Sequence, residues 1–524
     1  MTTTLPDGRL PGDWDIAPRP TRTYYVDQAA AAASDEGDGS ADRPFRTIGR
    51  AAEAVGPGER VLVAAGVYRE QVTPRRGGTG PEAMVSFEAE PGHGVVIRGS
   101  HLLPATWQPA PSDAGIWTLR LPEDGFTDHN PFAFENLDLS DPTTWQTFAQ
   151  GNRAASDHHR RGLLFQGGRR LPQFGTHDEL LASGEPGYWV TADGWTLHLR
   201  PFAGVDPNST VMEATNRRQA FAPAGPDVSY LRLKGFVIEH VGNVFSYPVL
   251  AAVTPMGGHH WVIEDNVIRH VNADGVGVGS HIWEWGGYSG PRAAAPGRDC
   301  IVRRNVISDC GVTGMKGISV TGCVIEDNVF DHIGWQNAPL GYDNGAMKLL
   351  VCTDVLVRHN VIRDSLDAPG IWLDWDNVNC RVTENAIFGT RYAGGAIFIE
   401  ASDQPNWVDH NVVWDSQGNG IYLQDADGVI VFDNIIGRST AAAIDGRLCT
   451  DRELNGRRVT CQKNEVRSNL LVDNQIDITF SDPDNICENN IVVGNEGGEQ
   501  GGAAQDEYGR LVRAVLAGQD AASS

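Results

Sequence analysis

The chain is predicted to be all-β: a right-handed parallel β-helix interrupted by an inserted β-sandwich. Two observations carry this. An Asn-centred unit recurs through the second half of the chain, and a stretch of about 120 residues before it switches to strict two-residue alternation with tight turns. Composition agrees with a turn-rich β protein. Of 524 residues, 41 % are hydrophobic and 21 % charged, and the 61 glycines close many short β-type runs.

Residues 1–99 hold the N-terminal cap and the first coils. The segment DRPFRTIGRAAEAVGPGERVLVAAGVYRE predicts a short helix from Thr47 to Val55 and a strand from Arg60 to Ala65. The helix is expected to cover the open end of the solenoid, an edge that must be shielded. From 100 to 223 the lines GIWTLRL, RGLLFQGGRRL, GYWVTADGWTLHLRP and STVMEATNRRQAFAP alternate on period two, which predicts an antiparallel sandwich. The main β-helix follows over 224–496. A Gly-rich linker and a helical tail are expected over 497–524, the helix at Glu507 to Leu516.

The repeat places Asn at 266, 305, 328, 360, 385, 411, 434, 469 and 490, with separations of 39, 23, 32, 25, 26, 23, 35 and 21. The short separations define one coil; the long ones are coils carrying extra loops. Asn suits a bend because it tolerates left-handed φ and bonds nearby backbone. Stacked in register, these residues are expected to form an amide ladder. Cys300, Cys323 and Cys380 each stand five residues before their unit's Asn and are expected to stack as reduced thiols at one inward position.

The net charge of −25 argues against nucleic acid and anionic membranes as partners. The opening MTTTLPDGRLPGDWDIAP lacks the pattern of a secretory signal, and the eight cysteines lack paired zinc-type spacing. The expectation is a cytoplasmic protein without metal or cofactor and capable of homo-oligomerisation.

Four successive coils carry the candidate chemistry. They are Gly345–Leu349, Gly370–Asp374, Gly395–Glu400 and Gly420–Gln424. If Leu373, Ile399 and Leu423 point inward, Asp374, Glu400 and Gln424 point outward, beside a second outward row of Trp372, Phe398 and Tyr422. Rungs about 4.8 Å apart put the Asp374 and Glu400 carboxylates at roughly the separation a retaining glycosidase needs, about 5–5.5 Å. Like charges that close cannot both ionise easily, so one becomes an acid. Asp376 is assigned to the strand-end turn. His259-His260 is assigned to a turn, and Asp157-His-His to a loop. The loop His281–Gly290 and Trp335 are either cleft walls or local packing.

At GIWLDW, Asn385, IFIEAS and NWVDHNVVW the chain resembles the β-helical β-xylosidases of glycoside hydrolase family 120 and related β-helix glycosidases. The resemblance implies that Asp374 is the nucleophile and Glu400 the acid/base. It also implies that Asp343 and Lys348 contact sugar hydroxyls, with Asp343 standing where the family usually has Glu. Trp372 is expected to offer a stacking wall, with Gln424 beside it. Three alternatives remain open at the sequence level: a polysaccharide lyase or epimerase with Lys348 as base, a fructan transferase, and a non-catalytic carbohydrate-binding repeat protein.

Overall fold

The protein is described by a computed structural model over residues 3–494, apart from 93, 114, 127–128, 137–158, 246–248, 281–283, 286–290, 293–296, 338–343 and 393; for 284–285 and 291–292 only the backbone is described. The tail beyond 494, Asp343, Asp157-His158 and the side chains of His281–Gly290 therefore lie outside the described residues.

Three parallel sheets wrap one apolar core. The first runs from Arg22–Val26 to Ile486–Glu488 and the second from Gly66–Tyr68 to Ile491–Val493. The third runs from Asp274–Gly279 to Ile476–Phe480. From Asp274–Gly279 to Ile476–Phe480 each coil contributes one short strand to each sheet, so inward side chains stack directly on their equivalents one rung away. Ile371, Ile397, Ile421 and Ile444 form such a row in the third sheet. Burial of this kind is worth roughly 1.5–3 kcal/mol per large aliphatic side chain, and repetition carries it along the axis.

The amide ladder is complete at all nine predicted positions. Each Asn side-chain nitrogen donates to the side-chain oxygen of the next Asn at 2.9–3.0 Å, from Asn266 through to Asn490. The conformational detail differs from expectation. The left-handed residue is the one before each Asn: Asp265, Arg304, Asp327, His359, Glu384, His410, Asp433, Ser468 and Asn489 all have φ between 52° and 58°. The Asn itself stays in regular conformation because its amide must lie in the ladder's plane, and its exposed neighbour takes the bend.

Cys300, Cys323 and Cys380 share one buried row, with Val355 filling the rung between the last two. Cys300 N–H donates to the sulfur of Cys323 at 3.3 Å, and all eight cysteines are free.

The helix spans Ile48–Ala54, capped by the Thr47 hydroxyl, and packs Ile48, Ala51 and Ala52 onto the first coil. The strand after it is Glu59–Val63. An N-terminal arm then runs along the outside of the first sheet. Asp15 meets Arg232 and Arg303, Arg9 meets Asp354, and the Thr4 carbonyl accepts from Arg381.

The solenoid continues across the inserted unit without a break, resuming by Phe221, which bridges Val72 and Val253. Val85–Ala89 pairs with Leu231–Lys234, and Val95–Arg98 pairs with Val237–Val241. The chain between them forms two four-stranded antiparallel sheets around Trp107, Leu119, Phe132, Leu164, Tyr188 and Leu199. This unit also holds a helix, His177–Ser183, that alternation did not predict. It is set by a capping box, Thr176 with Glu179, and by Gly184 at φ 67°. Glu213 fastens the unit to the solenoid by accepting from Arg69, Arg98 and Ser100.

Candidate active site

The candidate site sits on the outer face of the third sheet. In Ile371–Asp374 the odd positions face in: Ile371 and Leu373 belong to the core, while Trp372 and Asp374 face out. The strand stops because Trp375 and Asp376 take φ of 61° and 51° and turn the corner. Asp376 thus belongs to the turn, where it accepts from Asn455 at 3.1 Å.

Asp374 pairs in register with Glu400, and Glu400 with Gln424. One level along the same face, Trp372 pairs with Phe398 and Phe398 with Tyr422. Trp372 stacks on Phe398 with centroids 4.7 Å apart, and Phe398 meets Tyr422 at a 40° tilt, 5.0 Å away.

Lys348 is level with Trp372, not with Asp374. Its ammonium reaches diagonally to Asp374 Oδ2 at 2.9 Å and sits 3.0 Å from the centre of the Trp372 ring. The sandwich of ring and carboxylate suits a desolvated cation.

Glu400 is only 7 % exposed and is held on both oxygens. Trp372 Nε1 donates to Oε2 at 3.2 Å; Gln424 Nε2 and Arg452 Nη2 donate to Oε1 at 3.1 and 2.7 Å. Burial, and then the charge of Asp374, raise its pKa to about 7, against the opposing pull of Arg452 and Lys348. The pair is thus asymmetric: Asp374 pairs with Lys348, whereas Glu400 is the carboxylate whose pKa is raised, although Arg452 pairs with it.

Two of the expected roles are corrected. Trp372 cannot wall a sugar, because Phe398 covers one ring face and Lys348 the other, leaving 1 % of the residue exposed. Phe398 and Tyr422 are buried with it, so the aromatic row is a prop under the carboxylates. Lys348 is fully buried and its ammonium is committed to Asp374, so it holds that carboxylate and does not present itself to hydroxyls. Gln424 joins the site through Glu400. His260 lies in the turn before Val262–Glu264, packed against Trp14 of the arm and Tyr230. Trp335 donates to the Asp309 carbonyl and lies under Arg170 of the inserted unit, and it also lines a cavity with Asp367, Arg391 and Gln417.

Arg452 was not anticipated. It comes from the loop between Ala442–Arg447 and Glu465–Arg467 and bridges Glu400 to the buried Asp425, at 2.7 Å to each. The backbone N–H groups of Cys449 and Thr450 fix Asp425 in turn. The 35-residue interval from Asn434 to Asn469 marks this loop in the sequence, but nothing there aims it back at Glu400.

Residues 251–436 match the model of the right-handed β-helix region. No curated protein sequence matches the chain. Among solved structures, that of XylC in complex with xylose superposes with a TM-score of 0.74 at 20 % identity, covering 91 % of this chain and 88 % of the other. A structure described as a glycoside hydrolase gives 0.53 at 12 % identity, with 91 % and 98 % covered. The GH136 lacto-N-biosidase of Eubacterium ramulus gives 0.50 at 12 %, with 90 % and 68 % covered. In fold, this chain is a right-handed parallel β-helix similar to these three proteins along nearly all of its length.

Proposed function

We propose that this protein is a retaining glycoside hydrolase in which Asp374 is the nucleophile and Glu400 the acid/base. The observation that carries the reading is the register of the two carboxylates. They stand on adjacent rungs of one hydrogen-bonded sheet, which sets them about 4.8 Å apart at the backbone. A retaining enzyme needs about 5–5.5 Å, whereas an inverting one needs room for a water between.

In the first step Asp374 attacks the anomeric carbon, the bond to the leaving oxygen breaks, and Glu400 gives that oxygen its proton. In the second, Glu400 takes a proton from water as the water displaces Asp374. The asymmetric environments support this division, since the group needing a proton at neutral pH is the one with its pKa raised. Asp343 is placed by resemblance as a hydroxyl contact of the same site. A uronate lyase or epimerase would need Lys348 as a base, and Lys348 is closed off from solvent and bound to Asp374.

The xylose bound by XylC makes β-xylosides the first substrates to try. Asp374→Ala is expected to lose at least about 10³-fold in kcat/KM on a panel of nitrophenyl glycosides, whereas Glu400→Gln is expected to lose most on unactivated glycosides such as xylobiose and least on nitrophenyl glycosides, whose leaving group needs no proton. Azide is expected to restore Asp374→Ala with inverted product. Full activity in both variants rejects the assignment.

A further inference from the structure

In a double displacement the nucleophile and the acid lie on opposite sides of the scissile bond, and the leaving oxygen points at the acid. Here that geometry acquires a direction along the solenoid. The outward row reads Leu350, Asp374, Glu400, Gln424, Arg447, one residue per rung. On the nucleophile's side the face is closed by the chain itself. Leu350 and Ile318 are buried, and Val249 and Ala251 pack over Ile318. On the acid's side the face opens, and the Arg447 side chain is 54 % exposed.

Arg447 is anchored there. Its Nε donates to Asp445 Oδ2 at 2.7 Å, and Asp445 is buried beside Asn419, which donates to the same oxygen at 3.3 Å. Both terminal nitrogens of Arg447 have no hydrogen-bond partner among the described residues. A guanidinium held by one edge keeps its other donors pre-organised for a ligand. Asp445 balances its charge, so the position favours neutral hydroxyl oxygens over an anion.

We infer that Arg447, positioned by Asp445, forms the leaving-group subsite and selects a hydroxylated leaving group, that is, a further sugar residue. The inference rests on the hydrolase reading above. The substrate then lies along the solenoid axis, its leaving portion toward the C-terminal coils.

The test compares xylobiose with 4-nitrophenyl β-xyloside, which share a glycone and differ in the leaving group; if another glycone is preferred, the corresponding pair replaces them. For Arg447→Ala and Arg447→Gln, the ratio of kcat/KM on the disaccharide to that on the nitrophenyl glycoside is expected to fall about tenfold relative to wild type, the loss of one charged hydrogen bond. Asp445→Asn is expected to move the ratio the same way by a smaller factor, with Arg447→Lys between. An unchanged ratio in folded Arg447 variants, with wild type active, overturns the leaving-group assignment alone. A wild-type protein inert on every such pair overturns the hydrolase reading and this inference together.

Discussion

Glu400 and Lys348 show how two buried groups divide one site. In the proposed mechanism Glu400 must hold its proton to act as the acid, and its pKa stands raised to about 7 by burial and by Asp374. An acid with a raised pKa is protonated below that value, so kcat/KM is expected to fall as pH rises through about 7. Arg452 pulls the other way, stabilising the ionised form. Arg452→Met is therefore expected to shift the alkaline limb to higher pH, measured as a pH profile of kcat/KM. Lys348 is the counterpart for Asp374. Replacing it with Met leaves a carboxylate facing Trp372 without its cation. The expected cost is about 3 kcal/mol of stability in urea unfolding, as when one partner of a buried pair is removed, with a loss of roughly a hundredfold in kcat.

At the scale of the element, the Asn ladder is a continuous hydrogen-bonded rail. The Asn360 side chain donates to Asn385 and to the Ile325 and Arg358 carbonyls, and accepts from Asn328. Asn360→Ala orphans several buried groups at once, so about 3 kcal/mol is expected. At the end of the rail, Asn490→Ala is expected to cost under about 1 kcal/mol, because its neighbours already meet water. Denaturant unfolding of the two variants checks the difference. The ladder was legible in the sequence because a stacked amide demands one residue type at one place per coil. The register of Asp374 and Glu400 was legible for the same reason: no inserted loop separates Gly370–Asp374 from Gly395–Glu400 beyond one coil. The bend was misassigned because the left-handed residue varies in identity, from Asp265 to Arg304 to Ser468, and leaves no mark. The burial of Trp372 was not legible either. Alternation says which way a side chain faces, not what covers it, and here the cover is Lys348 from the preceding rung. Arg452 arrives through a long loop, a contact that no local pattern encodes.

For the whole molecule, stacking makes distance along the axis a matter of counting. Every rung adds the same increment, so the spacing of any two outward groups follows from how many coils lie between them. The site uses one increment, between Asp374 and Glu400. The next coil offers a position for a second carboxylate: Gln424 stands in register two rungs from Asp374, about 9.6 Å along the axis before side-chain lean. Inverting glycosidases hold their carboxylates about 6.5–9.5 Å apart. Moving the acid one coil outward, as Glu400→Gln with Gln424→Glu, would open room for water between nucleophile and acid. Whatever hydrolysis that double variant retains is expected to release the opposite anomer, read by following the first-formed sugar by proton NMR. Under the proposed mechanism, stereochemical outcome in this architecture becomes an integer, the number of coils between the two carboxylates.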